Sequence, residues 1–324
     1  MPDITLIEAV TQALAYELAN DENVVVFGED VGLNGGVFRA TAGLQERFGE
    51  ERVFDTPLAE SMIAGLAIGM SLQGLKPVAE FQFMGFIYPA MNQIISHAAR
   101  MRNRTRGRLN CPLVFRAPFG GGIRAPEHHS ESTEALFAHI PGLQVVIPSS
   151  PKRAYGLLLA AMRNPDPVIF LEPKRIYRLV KQPVPDDGQA LPIGKCFTLQ
   201  QGDDLTLVSW GASMHETLQA AKQLGDEGIS CDVIDVATIK PLDIETILNS
   251  VEKTGRCVIV HEGARTCGVG AEISAQIMEN CMHDLLAPVQ RVTGYDTVMP
   301  YFQLEKQYIP SVSRIKNSVM SIME

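Results

Sequence analysis

Apolar and polar positions along the chain switch between two periods, and the switching predicts alternating helices and strands. Leu6, Val10, Leu14 and Leu18 recur every four residues, the spacing of an amphipathic helix over 5–20 with Thr5 as its cap. Val24-Val25-Val26-Phe27 is a continuous apolar run, the kind a parallel sheet buries on both faces, and it ends in Gly28-Glu29-Asp30. Arg52-Val53-Phe54 predicts the next strand. It closes in Asp55-Thr56-Pro57-Leu58-Ala59-Glu60, and a helix of small and apolar residues should follow as far as Gln73-Gly74. Strands are expected at 78–83, 113–116, 145–147 and 168–171, with helices at 86–103 and 151–163.

Regular patterning lapses between Pro173 and Pro192, which reads as a connection between domains. A second series of strands is expected at 205–208, 231–236, 257–260 and 289–292, with helices between them. The fold class is therefore α/β, with two doubly wound domains. The boundaries drawn are 1–180 for the first domain, 181–194 for the linker and 195–324 for the second, in keeping with a chain of 324 residues.

Composition removes several function classes. A net charge of −9 disfavours a nucleic-acid or anionic-membrane surface, since both need clustered cations. The one basic run, 100–108, suits a solvated helix C-terminus. Six cysteines without a C-x-x-C pair argue against a disulfide framework or a zinc knuckle. No apolar run approaches membrane-spanning length and the start of the chain lacks a basic-then-apolar signal, so the expected location is cytoplasmic. Gly268-Val269-Gly270 lacks the third glycine of a dinucleotide fingerprint, because Ile273 stands there.

The chemistry-bearing positions cluster where predicted strands end. Glu60 lies at a strand-to-helix junction, where open α/β sheets bind ligands, yet it could simply be an acid favoured by the helix dipole. A capping box from Thr56 would place its acid at Ala59, one residue before Glu60. Glu29 could face the same crevice or be a solvated loop acid. Gly120-Gly121-Gly122 suggests a mobile loop or a close backbone approach to a ligand. It leads into His128-His129, which would suit proton transfer or anion binding. Phe81, Phe83, Phe86 and Tyr88 read as core, although an aromatic just past a strand end is well placed to stack on a heterocycle.

Gly28-Glu29-Asp30-Val31, the Asp55-to-Glu60 stretch, Glu80-Phe81-Gln82-Phe83, His129-Ser130, Pro141-Gly142-Leu143, Asp166-Pro167, Trp210-Gly211, Val260-His261-Glu262 and Gly294-Tyr295-Asp296-Thr297 together resemble one family. It is the beta subunit of the thiamine-diphosphate-dependent 2-oxo-acid dehydrogenases, the decarboxylating first component of the pyruvate and branched-chain complexes. The resemblance runs through essentially the whole chain. It implies a thiamine-binding pyrimidine domain followed by a transketolase C-terminal-like domain.

The resemblance also implies roles. Glu60 would bond the cofactor's aminopyrimidine, Phe86 would stack on it, Leu58 would line its pocket, and Glu29 would belong to an acidic, water-filled path. His129 would stand near the substrate carboxylate and the incoming lipoyl group, with pyruvate the expected substrate and a branched-chain 2-oxo acid or acetoin the alternative. The backbone carbonyls of Leu113, Ala161, Asn164 and Asp166 would hold a potassium ion, in a turn stiffened by Pro165. Thiamine enzymes hold the diphosphate and Mg2+ with Gly-Asp-Gly, which this chain lacks. The implied partners are therefore an alpha subunit that supplies that motif, in an α2β2 heterotetramer, and a lipoyl acyltransferase bound through the C-terminal domain. A non-catalytic scaffold is the reading of a different class, and an acid at the Glu60 junction speaks against it.

Overall fold

The computed structural model describes residues 3–323. The first half of the chain contains β1 (Asp3–Thr5), α1 (Leu6–Asn20), β2 (Val24–Gly28), α2 (Leu44–Phe48), β3 (Val53–Asp55), α3 (Glu60–Leu72) and β4 (Lys76–Glu80). It continues with α4 (Met91–Gln93), α5 (Met101–Arg104), β5 (Val114–Phe119), α6 (Glu134–Ala138), β6 (Gln144–Val146), α7 (Pro151–Met162), β7 (Val168–Pro173) and β8 (Lys181–Pro183). The expected helix cap at Thr5 is a full capping box: the Glu8 N–H donates to its hydroxyl and its own N–H donates to the Glu8 carboxylate.

Strands β2 to β7 form one sheet in the order β6-β7-β5-β4-β2-β3, all parallel. Alternate residues of each strand serve opposite faces. Phe27, Ala79, Phe115 and Ile169 enter one core, while Val26, Val78, Val114 and Phe170 enter the other, beneath α1 and α7. Two-sided burial explains why these strands read as unbroken apolar runs.

The second half contains β9 (Phe197–Gln200), β10 (Leu205–Ser209), α8 (Ser213–Asp226), β11 (Cys231–Asp235), β12 (Thr238–Lys240), α9 (Ile244–Thr254), β13 (Cys257–Val260), α10 (Val269–Cys281), β14 (Gln290–Val292), α11 (Phe302–Tyr308) and α12 (Val312–Met323). Its sheet has the order β14-β13-β10-β11-β9, parallel except for β9. Strand β12 leaves this sheet and pairs antiparallel with β6, covering the edge of the first sheet. One apolar core is continuous across the junction, from Phe115 and Ile147 to Val208, Ile234 and Ile259. Within the connecting segment β8 pairs with β1, and the Leu191 N–H donates to the Gly156 carbonyl, so the segment is strapped to the first unit.

Two elements differ from their sequence expectation. The helix expected over 86–103 is broken into 3₁₀ turns at Met84–Phe86 and Tyr88–Ala90, α4, a π turn at Ile94–Ala98, and α5. Pro89 lacks the N–H that a continuous helix would use. The strand expected over 78–83 ends at Glu80, and Phe83 turns away to pack against Phe38, Phe86 and His129.

Candidate active site

Glu29, Asp55 and Glu60 meet beyond the C-terminal ends of β2 and β3. A Cβ at Gly28 would lie 2.5 Å from the Glu80 carbonyl oxygen, so a glycine is what lets the chain turn there. The Asp55 carboxylate accepts the Gly32 N–H at 2.6 Å and pins the loop after β2, while the Thr56 N–H donates to the Gly28 carbonyl at 2.9 Å. Glu60 is the first residue of α3. Its N-cap, Ala59, has no side-chain oxygen to offer the first turn. Glu60 is half-buried, and the Glu29 carboxyl is pushed up by burial and then by the charges of Asp30 and Glu60. The Glu60 charge is thus felt at Glu29, after burial and Asp30. Leu58 is 70% exposed on its rim, with Met62 at 42% and Tyr88 at 41%, which leaves an apolar lip facing solvent.

Phe86 and His129 come together on a neighbouring wall. The Phe83 ring lies 4.4 Å from His129 and 5.9 Å from Phe86, and Phe86 lies 5.1 Å from His129, all edge to face. The Ser61 hydroxyl donates to the Pro89 carbonyl at 2.6 Å, joining this wall to the start of α3. His129 sits in the turn Glu127–His129, and its Nδ1 is buried without a hydrogen-bond partner. Burial lowers the His129 pKa, and the positive fields of Lys174 and His128 lower it further against Glu127. Its neighbour His128 is more exposed and lies 3.6 Å from Glu127. A Cβ at Gly85 would fall 2.0 Å from the His128 carbonyl oxygen, so the close fit of this turn depends on that glycine.

The glycine run is neither free nor open. The Gly121 N–H donates to Glu262 Oε1 at 2.5 Å and the Gly122 N–H to Glu305 Oε1 at 2.8 Å. The Arg124 N–H donates to the same Glu305 carboxylate at 3.1 Å, and the Ser132 hydroxyl to Glu262 at 3.1 Å. The Lys174 ammonium donates to the Gly120 carbonyl. Lys174 is buried, and desolvation takes its pKa down to about 8 against the pull of Glu262 and Glu305. Sequence reasoning missed Lys174 and Glu305. Glu262 followed a predicted strand end, as Glu29 does, and that signal was available.

Beneath the crevice Arg116 on β5 bridges Glu80 on β4 and Glu172 on β7. Its Nε and Nη2 donate to Glu172 at 2.7 and 2.9 Å, its Nη1 donates to Glu80, and the Tyr177 hydroxyl donates to Glu172 at 2.6 Å. Burial opposes the Arg116 charge, but the two carboxylates outweigh it and hold its pKa above the usual value.

The four candidate potassium positions lie on neighbouring segments. The Val168 N–H donates to the Leu113 carbonyl, the Asn164 N–H to the Ala161 carbonyl and the Cys111 N–H to the Pro165 carbonyl, at 3.0 to 3.2 Å. The Asn164 side chain accepts the Asp166 N–H, and Arg102 pairs with the Asp166 carboxylate at 2.7 Å. Among the described residues no group of three or more His, Cys, Asp or Glu side chains is arranged to hold a metal, and no helix is long and apolar enough to cross a membrane.

Residues 3–180 match the family model of the transketolase pyrimidine binding domain, and 194–315 match that of the transketolase C-terminal domain. The pyruvate dehydrogenase E1 component subunit beta of Acholeplasma laidlawii is 53% identical, over 97% of this chain and 96% of its own. That of Bacillus subtilis is 49% identical over the whole of both chains. The chain belongs to this E1 beta-subunit family. A split-gene transketolase, solved as an inactive beta4 tetramer, shares the fold with a TM-score of 0.80 at 25% identity, over 99% of each chain. The E1 beta family thus accounts for both sheets, in the α/β class expected from the strand pattern.

Proposed function

We propose that this chain is the beta subunit of a thiamine-diphosphate-dependent first component that decarboxylates pyruvate and passes the acyl group to a lipoyl arm. The observation that supports the reading is Glu60 at the uncapped start of α3, joined through Ser61 and Pro89 to the Phe86–His129 wall, in a chain about half identical to pyruvate dehydrogenase beta subunits. The donor set suits the aminopyrimidine end of the cofactor: an acid at an uncapped helix start, an aromatic ring, and a buried imidazole nitrogen without a partner. It does not suit the diphosphate or Mg2+, because the chain has no Gly-Asp-Gly. An alpha chain would supply those groups, in a heterotetramer of two alpha and two beta chains.

When bound, thiamine diphosphate supplies the thiazolium carbon that adds to the 2-oxo acid. Glu60 would hold a proton at the pyrimidine ring nitrogen, while Phe86 packs the ring face and Leu58 closes the rim. Glu29, its proton affinity raised by burial, then by Asp30 and Glu60, would carry protons along the crevice. His129 is favoured in its neutral form, able to take or give a proton beside the substrate carboxylate and the lipoyl group. In this reading 1–180 is the pyrimidine-binding unit, 181–194 the connection, and 195–324 the unit that docks the acyltransferase. The carbonyls of Leu113, Ala161, Asn164 and Asp166 would hold a potassium ion.

The test is kinetic, with the chain co-expressed with an alpha partner. Glu60→Gln should cut decarboxylation by about 10²–10³-fold while the assembly stays intact on gel filtration. His129→Ala should reduce lipoyl acylation more than decarboxylation. Full activity of the Gln variant would sink the role of Glu60, and equal losses in the Ala variant would show His129 misplaced. Assays with pyruvate, branched-chain 2-oxo acids and acetoin side by side decide the substrate, and a scaffold would turn over none of them.

A further inference from the structure

We propose that Lys174, Glu262 and Glu305 are positioning residues, a three-point clamp that fixes the loop 120–132 and through it sets the place of His129. The inference rests on the functional reading above and extends it to Lys174 just past β7 and to Glu262 and Glu305 from the second unit. Three consecutive glycines have no conformational reason to be ordered, and Gly120 and Gly122 adopt φ of +78° and +89°. Nevertheless each link of the run is held by a different charged group. Lys174 takes the Gly120 carbonyl, Glu262 the Gly121 N–H, and Glu305 the N–H groups of Gly122 and Arg124.

The absence of side chains lets the run lie against the clamp and its neighbours. A Cβ at Gly120 would stand 2.9 Å from Glu262 Oε1, one at Gly121 would stand 2.4 Å from the Met299 methyl, and one at Gly122 would stand 2.0 Å from Arg175 Cδ. The sequence suggested a mobile loop or a close approach to a ligand; what approaches the run is the protein itself, Arg175 from the first unit and Glu262 and Met299 from the second.

The clamp reaches His129 from both sides of its turn. Ahead of it lie the held amides of 121, 122 and 124, and behind it the Ser132 hydroxyl donates to the same Glu262 oxygen. The Gly120 N–H donates to the Glu131 carbonyl at 2.9 Å, closing the loop into a ring with His129 on it. Within that ring the Ser130 hydroxyl adds a bond to the Pro126 carbonyl at 3.2 Å. Hydrogen bonds from backbone N–H groups to carboxylates are among the stronger ones in proteins, and these are largely shielded from water. Buried ionic clusters are weak evidence for stability as such, so their direction matters more than their presence. Here the carboxylates aim at loop amides. The ammonium of Lys174 adds a second effect, because its field acts on the imidazole.

The experiment uses the full-length chain and the assembly with its alpha partner. Glu305→Ala and Glu262→Ala should speed amide exchange across 119–132 by about tenfold or more, with exchange in β2 and β4 unchanged. In the assembly, Glu305→Ala should lower the rate of lipoyl acylation about tenfold with KM for pyruvate within about twofold. Glu305→Gln keeps an acceptor oxygen and should restore both exchange protection and rate. If Glu305 acts through His129, adding Glu305→Ala to His129→Ala should cost no more than about a further twofold. Unchanged exchange in the alanine variants, exchange accelerated equally throughout the chain, or fully additive losses in the double variant would overturn the clamp. A wild-type assembly inert toward pyruvate would overturn the functional reading instead, since exchange reports the loop directly.

Discussion

Glu134 and His261 are buried side by side at the junction of the two sheets, and their protonation pulls stability in opposite directions. Burial pushes the Glu134 carboxyl up to about 7, with its own backbone N–H opposing the effect and the charge of Glu262 adding to it. His261 stacks on Trp210 at 5.0 Å, neither ring nitrogen has a partner, and burial followed by the charges of Arg291 and Arg265 holds its pKa at about 3. As pH falls from about 7 towards 4.5, folded Glu134 takes up a proton before its unfolded counterpart does, so it adds stability. As pH falls below about 6.5, unfolded His261 takes up a proton that the folded residue refuses, so it removes stability. Between pH 6.5 and 4.5 the two slopes offset each other. Glu134→Gln removes the gain and leaves the loss. Acidification from pH 6.5 to 4.5 should therefore cost the variant about 2 kcal/mol more than the wild type, read as urea midpoints at the two pH values. Equal losses would show that Glu134 is not protonated by the fold.

At the level of elements, the turn 161–168 offers a second measurement. Leu113 accepts one hydrogen bond, from the Val168 N–H, which leaves its carbonyl a lone pair for an ion, whereas the Ala161 carbonyl already takes the N–H groups of Arg163 and Asn164. Asp166 already has Arg102 on its carboxylate, so a bound cation would depend on the carbonyls alone. An ion that binds only the folded chain stabilises it by mass action, about 2.7 kcal/mol at a hundred times its dissociation constant. The unfolding midpoint should be higher in potassium chloride than in lithium or choline chloride at equal ionic strength, and identical midpoints would remove the site.

Strands β2, β5, β7, β10 and β13 were readable in the sequence because two-sided burial forces continuous β-branched and apolar runs, and α1 because one buried face forces a four-residue repeat. The positions of Glu29 and Glu60 past the ends of strands were readable, whatever their roles. The segment 86–103 was not, since its apolar spacing suits a helix while Pro89 and the packing of Phe86 against His129 interrupt one. Nor was β12, a three-residue strand whose partner lies in the other half of the chain. The loop contacts were furthest from view: Glu262 meets Gly121 across 141 positions and Glu305 meets Gly122 across 183. No local pattern marks a contact of that range.

For the molecule as a whole, the proposed function requires a site completed by a second chain. Glu29 and Glu60 follow the ends of β2 and β3, the Phe86–His129 wall is joined to the start of α3 through Ser61 and Pro89, and the rim is apolar and exposed at Leu58, Met62 and Tyr88. The chain has no Gly-Asp-Gly, and its net charge of −9 gives no general attraction for a diphosphate. A cofactor held at its pyrimidine end alone forgoes the charge-assisted contacts that the diphosphate and its metal would make. The purified chain should therefore bind thiamine diphosphate in the presence of Mg2+ at least about 100-fold more weakly than the assembly with its alpha partner, a difference near 2.7 kcal/mol. Titration calorimetry on the two preparations reads the ratio. The lip supplies an independent arm, because it should be covered when alpha binds: Leu58→Asp should weaken assembly while leaving the isolated chain folded. Tight cofactor binding or pyruvate turnover by the chain alone would mean that the missing groups are supplied from within it, and the two-chain reading would fail.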